Sequence, residues 1–266
     1  MRKMKWVLGI LIALVFASDA LAAPCATEDF VTRVSGGGEC LVIATFGLPL
    51  ATAPTAMVVW LHGDTSNGGP ARSHVKPAQE TASRFASDHV LSIAMWRPGY
   101  GDSQGNTSGG DDNGRADNYT KTNMLIVAEA IGRLKEHYRP ARTILVGHSG
   151  GAATSANLLG MTPGLADAAV LVSCPCDLRT WRAARKHSWP RSEDPLAWAG
   201  KVMPPVKVVA LTGTADDNTA QSLALKYVDV LRSQQVDARF VSIPGATHDS
   251  ALRAPEVIDT VGSLLR

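Results

Sequence analysis

Three side chains far apart in the chain have the types, and the order, that covalent acyl chemistry requires. Ser149 stands at the centre of Gly147-His148-Ser149-Gly150-Gly151. A serine hydroxyl is a weak nucleophile until an imidazole takes its proton. The imidazole in turn needs a carboxylate to fix its tautomer and stabilise its cation. His248, in Pro244-Gly245-Ala246-Thr247-His248-Asp249, and Asp216, in Gly213-Thr214-Ala215-Asp216-Asp217, follow in the order serine, acid, histidine. The Gly-x-x-Asp spacing favours Asp216 over Asp217 as the acid, and Asp177 is an outside candidate. The other histidine after Ser149 is His187, which lies in an irregular stretch.

The pentapeptide is a nucleophile elbow only if a strand runs into it and a helix leaves it. Thr143 to Val146 is a short apolar run, and Gly150 to Met161 reads as a helix. A serine on so sharp a turn needs small neighbours, which Gly147, Gly150 and Gly151 supply. The Gly150 amide would then sit at a helix N-terminus, facing a developing oxyanion. A second donor is expected after the run Ala56–Leu61, where His62-Gly63-Asp64-Thr65 puts the Asp64 amide, or less favourably that of Thr65, at the reacting oxygen. A side-chain role for Asp64 is not expected, because a carboxylate would oppose an oxyanion. His148 reads as a packing residue or substrate wall.

The remaining runs supply the frame. Leu41–Phe46, Ala56–Leu61, Val90–Trp96, Thr143–Val146, Ala168–Ser173, Val206–Leu211 and Ala238–Ile243 read as strands. Several are continuously apolar, which suits strands buried on both faces of a parallel sheet. Helices are predicted over 77–87, over 119–138 with Asn118 as cap, and over 150–161, 218–234 and 251–265. Residues 23–37 read as a loose arm and 101–118 as a long functional loop. Residues 174–204, with Trp181, Trp189, Trp198 and the bases Arg179, Arg182, Arg185, Lys186 and Arg191 among them, read as a short helical insertion covering the sheet edge.

At the N-terminus Arg2, Lys3 and Lys5 precede the apolar run Trp6–Phe16 and then Ala20-Leu21-Ala22. This pattern predicts an export signal cleaved after Ala22, leaving residues 23–266 as one catalytic domain secreted or held in the periplasm. Formal net charge is +2 over the 266 residues, and the leader carries three of the bases, so the mature part is near neutral. No nucleic-acid partner, stable membrane anchor, metal or cofactor is expected. The four cysteines, Cys25, Cys40, Cys174 and Cys176, suit disulfides in an oxidising compartment, with the pairing open.

Ser149 in its glycine frame, His62-Gly63 after a strand, Arg97-Pro98-Gly99-Tyr100-Gly101-Asp102-Ser103, Gly213-Thr214-Ala215-Asp216 and the final His248 together resemble the α/β-hydrolase superfamily. Asp194-Pro195-Leu196-Ala197-Trp198-Ala199, leading into 205–216, is similar to prolyl-oligopeptidase-like and dienelactone-hydrolase-like members. The resemblance implies an α/β fold with a mostly parallel sheet of about eight strands, helices on both faces and the insertion after the sixth strand. It implies acyl transfer through a serine ester. It differs at two points: the chain carries no propeller, and Asp64 stands where a small or apolar residue is usual. The expected substrate is a small-molecule ester, with His148, Tyr100 and Trp181 lining its pocket and insertion arginines able to hold a carboxylate. A short-peptide or amide substrate is the alternative, and a non-catalytic binding protein on the same fold the lesser one.

Overall fold

The computed structural model describes residues 25–266. The predicted leader, residues 1–22, lies outside the described residues. Within them no helix is long and apolar enough to cross a membrane.

The chain opens with a hairpin, β1 (Arg33–Gly36) and β2 (Glu39–Phe46). Alternation then follows: β3 (Ala56–Leu61), α1 (Val75–Arg84), β4 (Val90–Met95), α2 (Lys121–Tyr138), β5 (Thr143–His148) and α3 (Gly150–Met161). After β6 (Ala168–Val172) come two short helices, α4 (Leu178–Ala183) and α5 (Pro195–Trp198). The chain closes with β7 (Lys207–Gly213), α6 (Gln221–Ser233), β8 (Asp237–Ile243), α7 (His248–Ala251) and α8 (Pro255–Leu264).

All eight strands form one sheet in the order β1-β2-β4-β3-β5-β6-β7-β8. β2 runs antiparallel to both neighbours, and the pairings from β4 to β8 are parallel. The sheet is therefore mixed at one end. β3 shows why a continuous apolar run belongs here. Met57, Val59 and Leu61 enter the core on the side of α2, α3 and α6, whereas Val58 and Trp60 enter the core on the side of α1 and α8. Both faces are covered, so alternation gives no polar positions. The chain winds outward from β3 to β4, then crosses back to β5 on β3's other side. In such sheets the crevice beyond the carboxyl ends at the reversal is the natural site for a ligand.

Four expectations need correction. The arm at 23–37 contains strand β1, which turns through Gly37 and Gly38, both at positive φ, and pairs with β2. Helix α2 is capped by Thr120, whose side chain accepts the Asn123 amide, rather than by Asn118. The closing helix is two helices, with Pro255 starting the second. The insertion does not cover a sheet edge, since the edges are β1 and β8. Instead α5 packs on α3 and α6, and α4 on α6, over the sheet face that those two helices cover.

The cysteines close two bonds, Cys25–Cys40 and Cys174–Cys176. The first ties the start of the described chain to β2. The second forms a tight buried loop just before α4.

Candidate active site

β5 and α3 meet at Ser149, whose backbone takes φ 52° and ψ −116°, a conformation costly for any residue with a side chain. The strain is held from both sides. The Ser149 amide donates to the Val172 carbonyl at 2.9 Å, and its carbonyl accepts the Ala153 amide at 3.0 Å as the first helical bond. Each flanking glycine answers a different crowding. A Cβ at Gly147 would strike the Gly151 carbonyl, one at Gly151 the Leu61 carbonyl, and one at Gly150 the Asp64 carboxylate. The side chain of Ser149 opens on a cavity of about 650 Å³. It makes no hydrogen bond among the described residues.

His248, the first residue of α7, lines the same cavity. Thr247 before it caps the helix reciprocally with Ser250, which fixes where the imidazole leaves the backbone. Its Nδ1 lies 3.1 Å from both oxygens of Asp216. Nδ1–H toward the carboxylate leaves Nε2 as the proton acceptor on the cavity side. From below, His148 Nε2–H donates to the His248 carbonyl at 2.9 Å, and the two rings lie 4.9 Å apart.

Asp216 follows the end of β7 and is buried. Its Oδ1 accepts the amides of Asn218 at 3.0 Å and Thr219 at 2.8 Å, and its Oδ2 accepts the Thr219 hydroxyl at 2.9 Å. Burial pushes this carboxyl up, but the bonds from His248 and the Thr219 amide outweigh it and hold the group well below the usual carboxylate range. It stays ionised beside the imidazole. Asp217 is exposed and without a hydrogen bond among the described residues. Asp177 caps α4 through the Thr180 amide and pairs with Lys226 at 2.6 Å. Neither reaches His248.

Residues 111–261 match the profile of the prolyl oligopeptidase family, peptidase S9. The chain belongs to the prolyl oligopeptidase family. No curated protein sequence matches it. Among solved structures it is similar to the acylaminoacyl peptidase of Pyrococcus horikoshii, with 13% identity and a TM-score of 0.65 over 86% of this chain and 39% of that one. It spans that same 39% of the peptidase's length. It is also similar to the esterase Pf2001 of Pyrococcus furiosus, with 15% identity and a TM-score of 0.63 over 88% of this chain and 90% of that one. Est1E of Butyrivibrio proteoclasticus, solved with ferulic acid bound, gives 15% identity and 0.63 over 88% and 95%. At such identities these likenesses speak for the fold.

Within this family member, Asp64 is the largest departure from what its sequence suggests. Its side chain has a role: Oδ1 pairs with buried Arg97 at 2.5 Å and accepts the Tyr100 hydroxyl at 3.2 Å, while Oδ2 accepts the Tyr119 hydroxyl at 2.7 Å. The carboxylate is neutralised against Gly150 at the start of α3. Its charge is spent before it can oppose an oxyanion, and the loop that carries the Asp64 amide is fixed beside Ser149. Tyr100 is correspondingly not a pocket residue. It is fully buried, Asn118 donates to its hydroxyl at 2.8 Å, and burial pushes its phenol up to about 12. His62 completes the support by donating from Nδ1 to the Gly63 carbonyl at 2.7 Å and accepting the Arg97 amide at Nε2 at 3.0 Å.

His148 and Trp181 do line the cavity, with Trp189, Arg182, Arg185 and Arg253. From the loop 101–118 one side chain reaches it, Arg115, whose guanidinium clamps the Thr65 and Gly69 carbonyls at 2.9 and 3.0 Å and pairs with Asp112 at 2.8 Å. Thr219 was not visible as a site residue in the sequence. A threonine three positions after the acid is a weak signal, yet its hydroxyl touches Asp216 and lies 3.1 Å from His248 Nδ1.

Proposed function

We propose that the protein is a serine hydrolase of carboxylic acyl bonds, cleaving esters most readily. Ser149 attacks the acyl carbon and His248 takes its proton. Asp216 orients the imidazole and stabilises its cation. The amides of Gly150 and Asp64 hold the oxyanion. His248 then protonates the leaving group, and a water activated the same way releases the acyl-enzyme. The observation that carries this reading is the bond from His248 to a carboxylate held ionised, beside a cavity that the elbow serine shares.

Family membership supports peptidase or amidase action as a second reading, since an amine leaving group needs only the same protonation by His248. A fluorophosphonate label on Ser149, followed by 4-nitrophenyl acyl esters against aminoacyl-4-nitroanilides, tests both. Labelling with faster ester cleavage is expected. Faster nitroanilide cleavage would reverse the order, and a folded protein that takes no label would overturn the enzyme. The proposed cellular place is outside the cytoplasm, supported by the leader pattern and by two disulfides. Mass spectrometry of the exported protein should find Ala23 at its N-terminus.

A further inference from the structure

The cations around the cavity differ in what they hold. Arg115 is committed to carbonyls and to Asp112. Arg185 donates to the carbonyls of Trp181 and Asn218 and to the Asn218 side chain. Arg253 is exposed on the rim. Arg182 is different: half-buried, it donates no hydrogen bond and forms no ion pair among the described residues. Its Nε is fully buried without a partner. Its guanidinium carbon lies 4.3 Å from the Trp189 ring centroid and 4.9 Å from that of Trp181. The two indoles stand edge to face at 5.6 Å, and Trp189 abuts Tyr119 at 5.3 Å. The Trp181 indole is itself pinned, donating to the Asn218 carbonyl at 2.8 Å, two residues after the acid.

A guanidinium whose Nε is shut off from water and faces only rings is under-satisfied at that atom, because cation–π contact replaces a fraction of the lost hydration. Burial and then neighbouring Arg185 both disfavour its charge. The acidic side chains lining the cavity form no ion pair with it. Asp64 belongs to Arg97, and Asp249 is exposed beside His248. A site built this way has one well-matched ligand group, a carboxylate able to take two guanidinium N–H bonds in parallel.

We propose that Arg182, lodged against Trp181 and Trp189, is the specificity-determining residue of the cavity and receives a carboxylate at the end of the substrate remote from the scissile bond. The substrate class is an acyl ester whose apolar or aromatic spacer lies along the indoles and ends in a free acid. This rests on the hydrolase reading above.

The test compares mono-4-nitrophenyl adipate with its methyl-capped diester at low ionic strength. The wild-type enzyme should favour the free acid by about tenfold or more in kcat/KM, chiefly through KM, with the preference shrinking as salt is added. Arg182→Gln should bring the ratio to near one, and Arg182→Lys should recover part of it. A wild-type ratio at or below one, or a ratio unmoved in Arg182→Gln that still takes fluorophosphonate, overturns the proposal. Should that variant fail to fold, quenching of tryptophan fluorescence by benzoate but not benzamide in the wild-type protein decides instead. Equal response to both sinks the proposal. If neither ester is cleaved and Ser149 takes no label, the hydrolase reading fails, and the benzoate measurement then tests the anion site by itself.

Discussion

Two carboxylates, Asp216 buried and Asp64 half-buried, flank the same cavity, and their partners separate them. Asp64 pairs with Arg97, whose side chain is 4% exposed, and both tyrosine hydroxyls are bound into the same cluster. Asp216 pairs with His248, whose side chain is 14% exposed and forms cavity wall. A guanidinium cannot lose its proton in water, so the first pair can only hold geometry. An imidazole can lose and regain one, so the second can move a proton while its carboxylate stays charged. Two carboxylates beside one cavity thus do unlike work, and the partner's chemistry together with its access to the cavity decides which.

Breaking each pair should therefore cost a different quantity. Asp216→Asn keeps the shape but removes the charge and favours the wrong imidazole tautomer. Ester turnover should fall by roughly 10³–10⁴-fold with a much smaller change in melting temperature. Retention of a tenth of the activity would mean that Asp216 is a turn residue. Arg97→Met strips Asp64 of its cation inside the protein, and denaturant unfolding should show a loss of about 3–5 kcal/mol. A stability within about 1 kcal/mol of wild type, by the same principle, would show that the Asp64 cluster is not the frame it resembles here.

Thr219 sharpens the comparison at the Asp216–His248 pair alone. Thr219→Val keeps the volume and removes one donor from Asp216, so kcat should fall about tenfold with KM little moved. The pH profile of kcat should shift as the imidazolium loses support. Thr219→Ser should restore both. If Val and Ser variants behave alike, the hydroxyl is packing.

Legibility in the sequence followed the same division. The frame was plain where burial on both faces made the pattern extreme: Ala56–Leu61 is a strand at the residues its composition suggests, and the run from Thr143 is a strand that continues to His148. β1 was missed because four residues beside a glycine turn carry too little pattern, and its place is set by pairing with β2. The order serine, acid, histidine could be read because Ser149, Asp216 and His248 each follow a strand. What escaped were contacts across long separations. Asp64 and Arg97 are 33 residues apart, and Asp64 and Tyr119 are 55 apart. With no partner in view, Asp64 looked like an unopposed charge and Tyr100 like a pocket wall. The fate of a polar side chain depends on what the fold brings to it, and local sequence does not carry that.

The smallest effect lies behind the pairs, in buried imidazoles that the fold keeps neutral. His74, fully buried with neither ring nitrogen hydrogen-bonded, is pushed down to about 3 by burial and then by Arg97. His148, beside the Asp216–His248 pair, is pushed down to about 4 by burial and then by His248. Unfolded, each would titrate near 6.5. A depressed folded-state value means that the unfolded chain takes up a proton first as pH falls. The stability these rings permit is thus complete above about 6.5 and drains away toward pH 4. His74→Phe removes one such proton from the Arg97 side without touching Asp216 or His248. Between pH 6 and 4 its unfolding free energy should fall less steeply than wild type by about 1.4 kcal/mol per pH unit at most, approached at the acid end. At pH 8 that linkage term vanishes, leaving only the packing difference between the two rings. An unchanged acid slope would mean that His74 takes up its proton in the folded state, and that the Arg97 side of the cavity is wetter than its burial implies.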